Sequence, residues 1–191
     1  MGEDRTDERD VAMSHPYLSI LAKPRRTLAV IGTAGRRDDE AKLSAHHWLK
    51  MIAAVREVAH IESVTTLVSG GAAWADHVAV HLSGDFPTKL FIPASPKDCE
   101  TARYYHAKFS RVIGRDSFIE VLDFPHKEFR GSFKERNTHV ADAADVFIAM
   151  TFGAGPKVKD GGTADTVKKM LQRGVRGYHF DLNTLELHSI P

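Results

Sequence analysis

The chain has 191 residues, of which 42% are hydrophobic and 27% are charged, and its formal net charge is +1. This length and apolar fraction fit one domain with a hydrophobic core of its own. The balance of 26 basic and 25 acidic residues excludes the overall positive field of a nucleic-acid or membrane-surface binder, and the single cysteine excludes an intramolecular disulfide framework.

The first 24 residues differ in character from the rest of the chain. Residues 3–10 form a charged run without an apolar side chain, so we expect a flexible arm at 1–24 and a single domain at 25–191. The sequence has no apolar run of 18 residues and no charged-then-apolar leader. We therefore expect a cytoplasmic protein without a membrane partner.

From residue 27 onward, short β-rich runs alternate with longer segments of helical period. We predict strands at 27–31, 64–68, 89–92, 117–122, 144–150 and 175–181, and a further short strand at 184–188. We predict helices at 38–60, 72–81, 99–112, 132–143 and 161–173. The strands are nearly continuous in apolar residues, which indicates a parallel sheet covered by helices on both faces. In such a fold the ligand lies outside the carboxyl ends of the strands.

Three glycine-containing loops at this predicted edge each lead into a helix: GTAGR at 32–36, SGGA at 69–72 and DGGT at 160–163. Glycine allows positive φ and close approach of a ligand, and the N–H groups that open a helix suit phosphate or carboxylate. Hydroxyls on Thr33, Ser69 and Thr163 are further candidate donors. Each loop alone is typical of ordinary turns, and none matches a dinucleotide or P-loop fingerprint. Three at one edge favour a phosphate-bearing ligand.

Several motifs, in this order and spacing, resemble those of the SLOG superfamily. LVSGGAAWAD at 67–76 resembles its SGGAxGAD signature, and VIGTAGR at 30–36 fits its first strand and loop. FKERN at 133–137, ADVFIAM at 144–150 and GGTADT at 161–166 resemble its later block. The superfamily includes the Lonely Guy phosphoribohydrolases, the Rossmann domain of DprA and the YpsA-like proteins. The resemblance covers 27–181 apart from 94–131. It implies a Rossmann-like three-layer α/β domain with a mostly parallel sheet that binds a nucleotide or nucleotide-derived molecule.

The resemblance also suggests a reaction. In the Lonely Guy branch an arginine and a glutamate cleave the N-glycosidic bond of a nucleoside 5′-monophosphate. The arginine falls on Arg136, but the position of the glutamate holds Thr166. Either Asp165 or Asp76 supplies the carboxylate, or the protein binds without hydrolysing. The structural alternatives are stabilisation of a helix start for the two acids and a surface salt bridge for Arg136.

We therefore expect a nucleotide-binding protein. The first hypothesis is hydrolysis of a nucleoside monophosphate by Arg136 with Asp165 or Asp76, and the alternative is a non-catalytic sensor or adaptor. The neutral charge disfavours DNA binding as in DprA, the resemblance implies a homodimer, and we expect no cofactor. The residues expected to contact the ligand are Gly32, Thr33, Gly35, Arg36, Ser69, Gly70, Gly71, Asn137, Gly161, Gly162 and Thr163.

Histidine and aromatic side chains offer further candidates. His77 and His81 share a helix face at i and i+4, but the sequence places no third ligand beside them, so we predict no metal site. Trp74 and Tyr105 are candidates for stacking on a base, with core packing as the alternative.

Overall fold

The computed structural model describes residues 25–190, so the arm expected at 1–24 and the terminal residue lie outside the described residues. Seven strands form one sheet: β1 (Arg26–Gly32), β2 (Val64–Ser69), β3 (Thr88–Pro93), β4 (Lys127–Arg130), β5 (Val146–Thr151), β6 (Gly177–Asp181) and β7 (Glu186–Ile190). Their order is β4-β3-β2-β1-β5-β6-β7, and only β6 and β7 pair antiparallel within the described chain. The expected mostly parallel sheet is therefore confirmed.

Helices cover both faces of the sheet. They are α1 (Asp39–Lys42), α2 (Ala45–Ile61), α3 (His77–His81), α4 (Pro96–Ile113), α5 (Ser117–Leu122), α6 (Phe133–Asp142) and α7 (Gly162–Gln172). Successive residues of β1 alternate between two cores. Leu28 and Val30 pack with α2, α3 and Phe109, whereas Ala29 and Ile31 pack with α6 and α7. This arrangement is the three-layer α/β fold expected from the sequence. No helix among residues 25–190 has both the length and the apolar character needed to cross a bilayer.

The region without a recognisable motif contains one wrong prediction. Residues 117–122 form helix α5 rather than a strand, because the side chain of Asp116 accepts the N–H groups of Phe118 and Ile119 and starts a helix there. Ser117 and Val121, four residues apart, are the buried positions of α5. The strand of this region is β4, a four-residue edge strand without a fully buried residue. Its polar sequence gives no strand pattern.

Two predicted helices differ from the observed ones in extent. Ser44 caps the start of α2 by accepting the N–H of His47, so the helix predicted at 38–60 divides into α1 and α2. Residues 73–76 form turns ahead of α3, which begins only at His77. The remaining predicted strands and helices lie where expected, with ends that differ by a few residues.

The sheet reverses its strand order between β1 and β5. The chain leaves β1 toward β2 and β3 on one side, while β5 to β7 lie on the other. Connections that diverge in this way leave a crevice at the carboxyl ends of the two central strands, where ligands of such folds bind. The crevice lies next to Gly32 and Thr151, the last residues of β1 and β5.

Gly32 provides a first test of this packing. A Cβ at Gly32 would lie 2.3 Å from the carbonyl oxygen of Met150 and 2.6 Å from Cβ of Ala75. We expect Gly32→Ala to lower the free energy of unfolding by about 1–3 kcal/mol, measured by urea denaturation. Gly84→Ala is the matched control, because a Cβ there meets nothing within 4 Å. Equal stability of the two variants would contradict the close approach of β1 and β5 described here.

Candidate functional site

A cavity of about 260 Å³ opens at the crevice between β1 and β5. It is lined by the loop that follows β1, by the loop that follows β5, and by the starts of α6 and α7. Its volume is near the lower end of the range for small-molecule sites. The lining side chains that carry charge are those of Arg36, Arg37, Asp39, Asp76, Arg136, Lys159 and Asp160.

The loop after β1 is organised around Thr33 and Asp39. The Thr33 hydroxyl donates to Oδ2 of Asp39 at 2.6 Å and accepts the N–H of Gly35 at 3.1 Å. It is therefore engaged within the protein, although Thr33 lines the cavity. Gly35 has a φ of 74° and does not line the cavity, since it turns the chain beside the ring of Trp74.

The loop after β2 lies behind the cavity rather than in it. Ser69 is fully buried, and its hydroxyl donates to the carbonyl oxygens of Val30 at 2.7 Å and Asp76 at 3.1 Å. Gly70 and Gly71 likewise do not line the cavity; their carbonyl oxygens accept hydrogen bonds from Arg136 and His106. This predicted phosphate loop thus supports the wall of the site, and Ala72 alone of SGGA faces the cavity.

Asp76 and Arg136 form a buried ion pair in that wall. Nη1 of Arg136 lies 3.8 Å from Oδ2 of Asp76 and donates to the carbonyl oxygen of Gly70 at 2.7 Å. Only 4% of Asp76 and 8% of Arg136 are exposed. Burial raises the pKa of Asp76, and the charge of Arg136 and the N–H of Ala72 oppose that rise. Arg136 is therefore neither a surface salt bridge nor a free guanidinium.

The first turn of α7 faces the cavity without a side-chain cap. Gly161 precedes it with a φ of 134°, and Gly161, Gly162 and Thr163 all line the cavity. The Thr163 hydroxyl donates to the carbonyl oxygen of Gly32 at 2.9 Å, which fastens the start of α7 to the end of β1. The cavity is therefore bordered by the N–H groups and the positive end of an eleven-residue helix.

Asp165 and Thr166 point in different directions from α7. Thr166 is 2% exposed, lines the cavity, and donates its hydroxyl to the carbonyl oxygen of Gly162 at 2.8 Å. Asp165 is exposed and is not among the lining residues. The two directions follow from the rotation of about 100° per residue in a helix.

The loop after β5 brings Lys159 to the cavity. The Thr151 hydroxyl accepts the N–H groups of Gly153 at 3.2 Å and Lys159 at 3.0 Å, which closes the loop on itself. His179 of β6 contacts both the Thr151 hydroxyl and the carbonyl oxygen of Gly155. With the loop closed in this way, Nζ of Lys159 donates to Oδ1 of Asp39 at 2.5 Å. The ion pair joins the two loops across the crevice.

The guanidinium of Arg36 packs against two aromatic rings. The guanidinium of Arg36 lies 4.8 Å from the ring centroid of Phe133 and 5.4 Å from that of Tyr105, and Arg136 lies 5.1 Å from Phe133. Within residues 25–190, neither Arg36 nor Arg37 has a carboxylate at ion-pair distance, whereas Lys159 and Arg136 are paired. Among the described residues, Arg36 and Arg37 are therefore the cations of the cavity without a carboxylate partner.

Asn137 connects the two helices that begin at the cavity. Its Oδ1 accepts Nε and Nη2 of Arg136 at 3.1 and 2.8 Å, and its Nδ2 donates to the carbonyl oxygen of Gly162 at 3.4 Å. It lines the cavity. Its side chain also fixes the position of α6 relative to α7.

The histidine and aromatic candidates lie elsewhere. Trp74 is 4% exposed and packs at 4.8 Å on Phe109 in the core, so the core-packing alternative holds for it. Tyr105 is half-buried beneath Arg36. Nε2 of His77 donates to Glu120 at 2.8 Å. Throughout 25–190 no three His, Cys, Asp or Glu side chains gather as a metal-binding group.

Among the charged residues of the cavity, the sequence predicts no site role for Arg37, Asp39 and Lys159, and Asp160 enters only as the first residue of the DGGT loop. Asp39 follows β1 by seven positions, and Lys159 follows β5 by eight. A partial signal existed, since both residues follow the carboxyl ends of adjacent strands. Nothing in the sequence, however, shows that the loops turn toward each other.

No protein-family model matches the chain. The chain is 35% identical to the uncharacterized protein R261 of Acanthamoeba polyphaga mimivirus over 165 residues, which cover 75% of this chain and 90% of the viral protein. The chain belongs to the family of this viral protein. The similarity extends over most of both chains, and the name of the viral protein states no activity.

Proposed function

We propose that this protein binds a nucleotide or nucleotide-derived ligand in the cavity between β1 and β5. The observation that carries the proposal is that the uncapped N-terminus of α7 and the guanidinium of Arg36 border one cavity at the reversal point of the sheet. Helix N-termini and guanidinium groups are the usual partners of phosphate in such folds. The SLOG-like motifs supply two of these features, Arg36 and the glycines that open α7.

Binding without hydrolysis is the form of the proposal that the geometry favours. Thr166 occupies the position of the Lonely Guy glutamate, and its hydroxyl is bonded to the helix backbone. Asp165 is exposed off the cavity, and Asp76 is held by Arg136 and the N–H of Ala72. None of the three presents an unengaged carboxylate to an anomeric carbon. We therefore favour a sensor or adaptor that recognises its ligand without cleaving it.

Hydrolysis of the N-glycosidic bond of a nucleoside monophosphate is the second candidate. It is favoured by the acidic side chains of Asp39 and Asp160, which both line the cavity. A carboxylate beside the sugar stabilises the positive charge that develops when the base leaves and water adds. Incubation with each nucleoside 5′-monophosphate, followed by chromatography, separates the candidates, because only hydrolysis releases free base.

Arg36 provides the test of ligand binding itself. We expect nucleoside 5′-monophosphates to raise the melting temperature of the protein, and Arg36→Ala to weaken their binding about tenfold in calorimetry because one charge-assisted hydrogen bond is lost. Arg111→Ala removes an exposed arginine from α4, away from the cavity, and is the matched control. Absence of any nucleotide binding would reject the proposal. Equal affinities of the two variants would exclude Arg36 from the site.

A further inference from the structure

Asp39 is a buried, negatively charged acceptor in a cavity that is also lined by cations. Asp39 is only 6% exposed and lines the cavity. Each of its oxygens has one donor from the protein: Oδ2 accepts the Thr33 hydroxyl at 2.6 Å and Oδ1 accepts Nζ of Lys159 at 2.5 Å. These two donors come from the loops after β1 and β5, so the carboxylate is fixed from two sides.

Asp39 also retains unused hydrogen-bonding capacity. A carboxylate offers about four lone-pair sites, and a buried acceptor is most stable when they are filled. Thr33 and Lys159 fill two of them within residues 25–190. Because a carboxylate repels phosphate, the part of an anionic ligand that meets Asp39 is a hydrogen-bond donor such as a hydroxyl, and not the phosphate itself.

Donor and acceptor groups therefore occur side by side in this cavity. The start of α7 and Arg36 attract an anion, while Asp39 accepts hydrogen bonds from a neutral group. A ribose 5′-phosphate carries both features, because its phosphate is separated from the 2′- and 3′-hydroxyls by the sugar ring. A deoxygenated sugar would leave the buried Asp39 oxygens without these donors.

We propose that Asp39 binds the ribose hydroxyls of the ligand, and that Thr33 and Lys159 orient its carboxylate for this role. The ligand is accordingly a ribonucleotide or a derivative with an intact ribose diol. This inference rests on the proposed function, and it adds a specificity-determining residue and a substrate class to it. The Asp39–Lys159 pair then links recognition of the sugar to the loop that leads into α7.

Calorimetric titration of the wild-type protein tests the inference directly. The probes are the four ribonucleoside 5′-monophosphates and the matching 2′,3′-dideoxynucleoside 5′-monophosphates. We expect the ribonucleotide to bind at least about tenfold more tightly than its dideoxy form, because a site built to accept hydroxyls discriminates against analogues that lack them. Binding of both sugars with equal affinity would overturn the role of Asp39 and leave nucleotide binding standing. Binding of neither would overturn both.

The substitution Asp39→Asn tests whether Asp39 causes the preference for ribonucleotides over dideoxynucleotides. The amide is nearly isosteric and keeps an oxygen for Thr33, but it lacks the charge and half of the acceptor sites. We expect the ratio of dideoxy to ribo dissociation constants to fall from about ten toward one. Asp38→Asn alters the exposed carboxylate next to Asp39 in the chain, which does not line the cavity, and should preserve the ratio. A ratio that stays near ten in Asp39→Asn would overturn the assignment.

Discussion

Replacing Arg136 by alanine is expected to lower the free energy of unfolding by about 3–5 kcal/mol, in addition to any effect on ligand binding. From the sequence, this substitution is expected to weaken binding with little effect on stability. The burial of Arg136 and of its partner Asp76 changes that expectation. Removal of the guanidinium would leave the Asp76 carboxylate charged, buried and without its cation, and would also free the carbonyl oxygen of Gly70.

The pH dependence of this loss identifies its cause. Burial raises the pKa of Asp76, and Arg136 opposes the rise. Without Arg136 the folded variant takes up a proton at a higher pH than the wild type does. A carboxyl group whose pKa is raised by folding favours the folded state more as the pH falls, so the deficit of Arg136→Ala should shrink between pH 7 and pH 5.

Urea denaturation of Arg136→Ala, Asp76→Asn, the double variant and Lys134→Ala measures these effects. Lys134→Ala changes an exposed residue of the same helix and should remain within about 0.5 kcal/mol of the wild type. Adding Asp76→Asn to Arg136→Ala removes the unpaired charge and should recover part of the loss, whereas two independent losses would simply add. A deficit below about 1 kcal/mol that does not vary with pH would show that the pair is not buried as described.

The sequence patterns predict the central sheet well because burial dictates them. β1, β3 and β5 contain continuous apolar runs of three to five residues that are buried in the sheet. The sequence predicts no strand at β4, because an edge strand without buried residues needs no apolar pattern. The strand predicted at 117–122 is wrong because a short apolar run fits a strand or a helix equally well, and the Asp116 cap decides between them.

The sequence patterns predict where the candidate cavity lies but only some of the residues that line it. The rule that ligands bind at the carboxyl edge of the sheet selects the loop after β1 and the start of α7, and both border the cavity. The rule does not distinguish one glycine loop from another, however, and Ser69, Gly70 and Gly71 lie behind the wall of the cavity. Which loops face the crevice depends on strand order: β2 is one strand away from the reversal point between β1 and β5. Sequence alone does not supply that order.

Acidification from pH 7 to pH 5 is expected to remove about 4 kcal/mol of stability through two buried histidines, His77 and His106. Burial lowers the pKa of His77 to about 3 and that of His106 to about 4. His106 is 1% exposed; its Nε2 donates to the carbonyl oxygen of Gly71 at 3.0 Å, and its Nδ1 accepts the hydroxyl of Ser117 at 2.9 Å. A second proton on the ring would occupy Nδ1, which could then no longer accept the Ser117 hydroxyl.

The sign follows from where the protons bind. In the unfolded chain both imidazoles have a pKa near 6.5 and take up protons between pH 7 and pH 5, whereas in the folded protein they stay neutral until about pH 4. Stability is therefore fully present above the unfolded pKa and falls as the pH drops, by about 2 kcal/mol for each histidine at pH 5. Glu120, which contacts His77, does not cancel the effect because it is also paired with Arg115 at 3.1 Å. The raised pKa of Asp76 favours the folded state as the pH falls. The contribution of a histidine is therefore measured as the difference between the wild type and a variant that lacks that histidine.

His106→Gln provides that difference, because the glutamine amide can still donate to Gly71 and does not titrate. The loss of unfolding free energy between pH 7 and pH 5 should be about 2 kcal/mol smaller in this variant than in the wild type. His60→Gln, which replaces an exposed histidine at the end of α2, should leave the wild-type loss unchanged. The ring resonances of His77 and His106 in NMR spectra give a second readout that requires no variant. If either ring titrates near pH 6.5 in the folded protein, its burial against the wall of the site does not hold it neutral, and the predicted acid sensitivity fails with it.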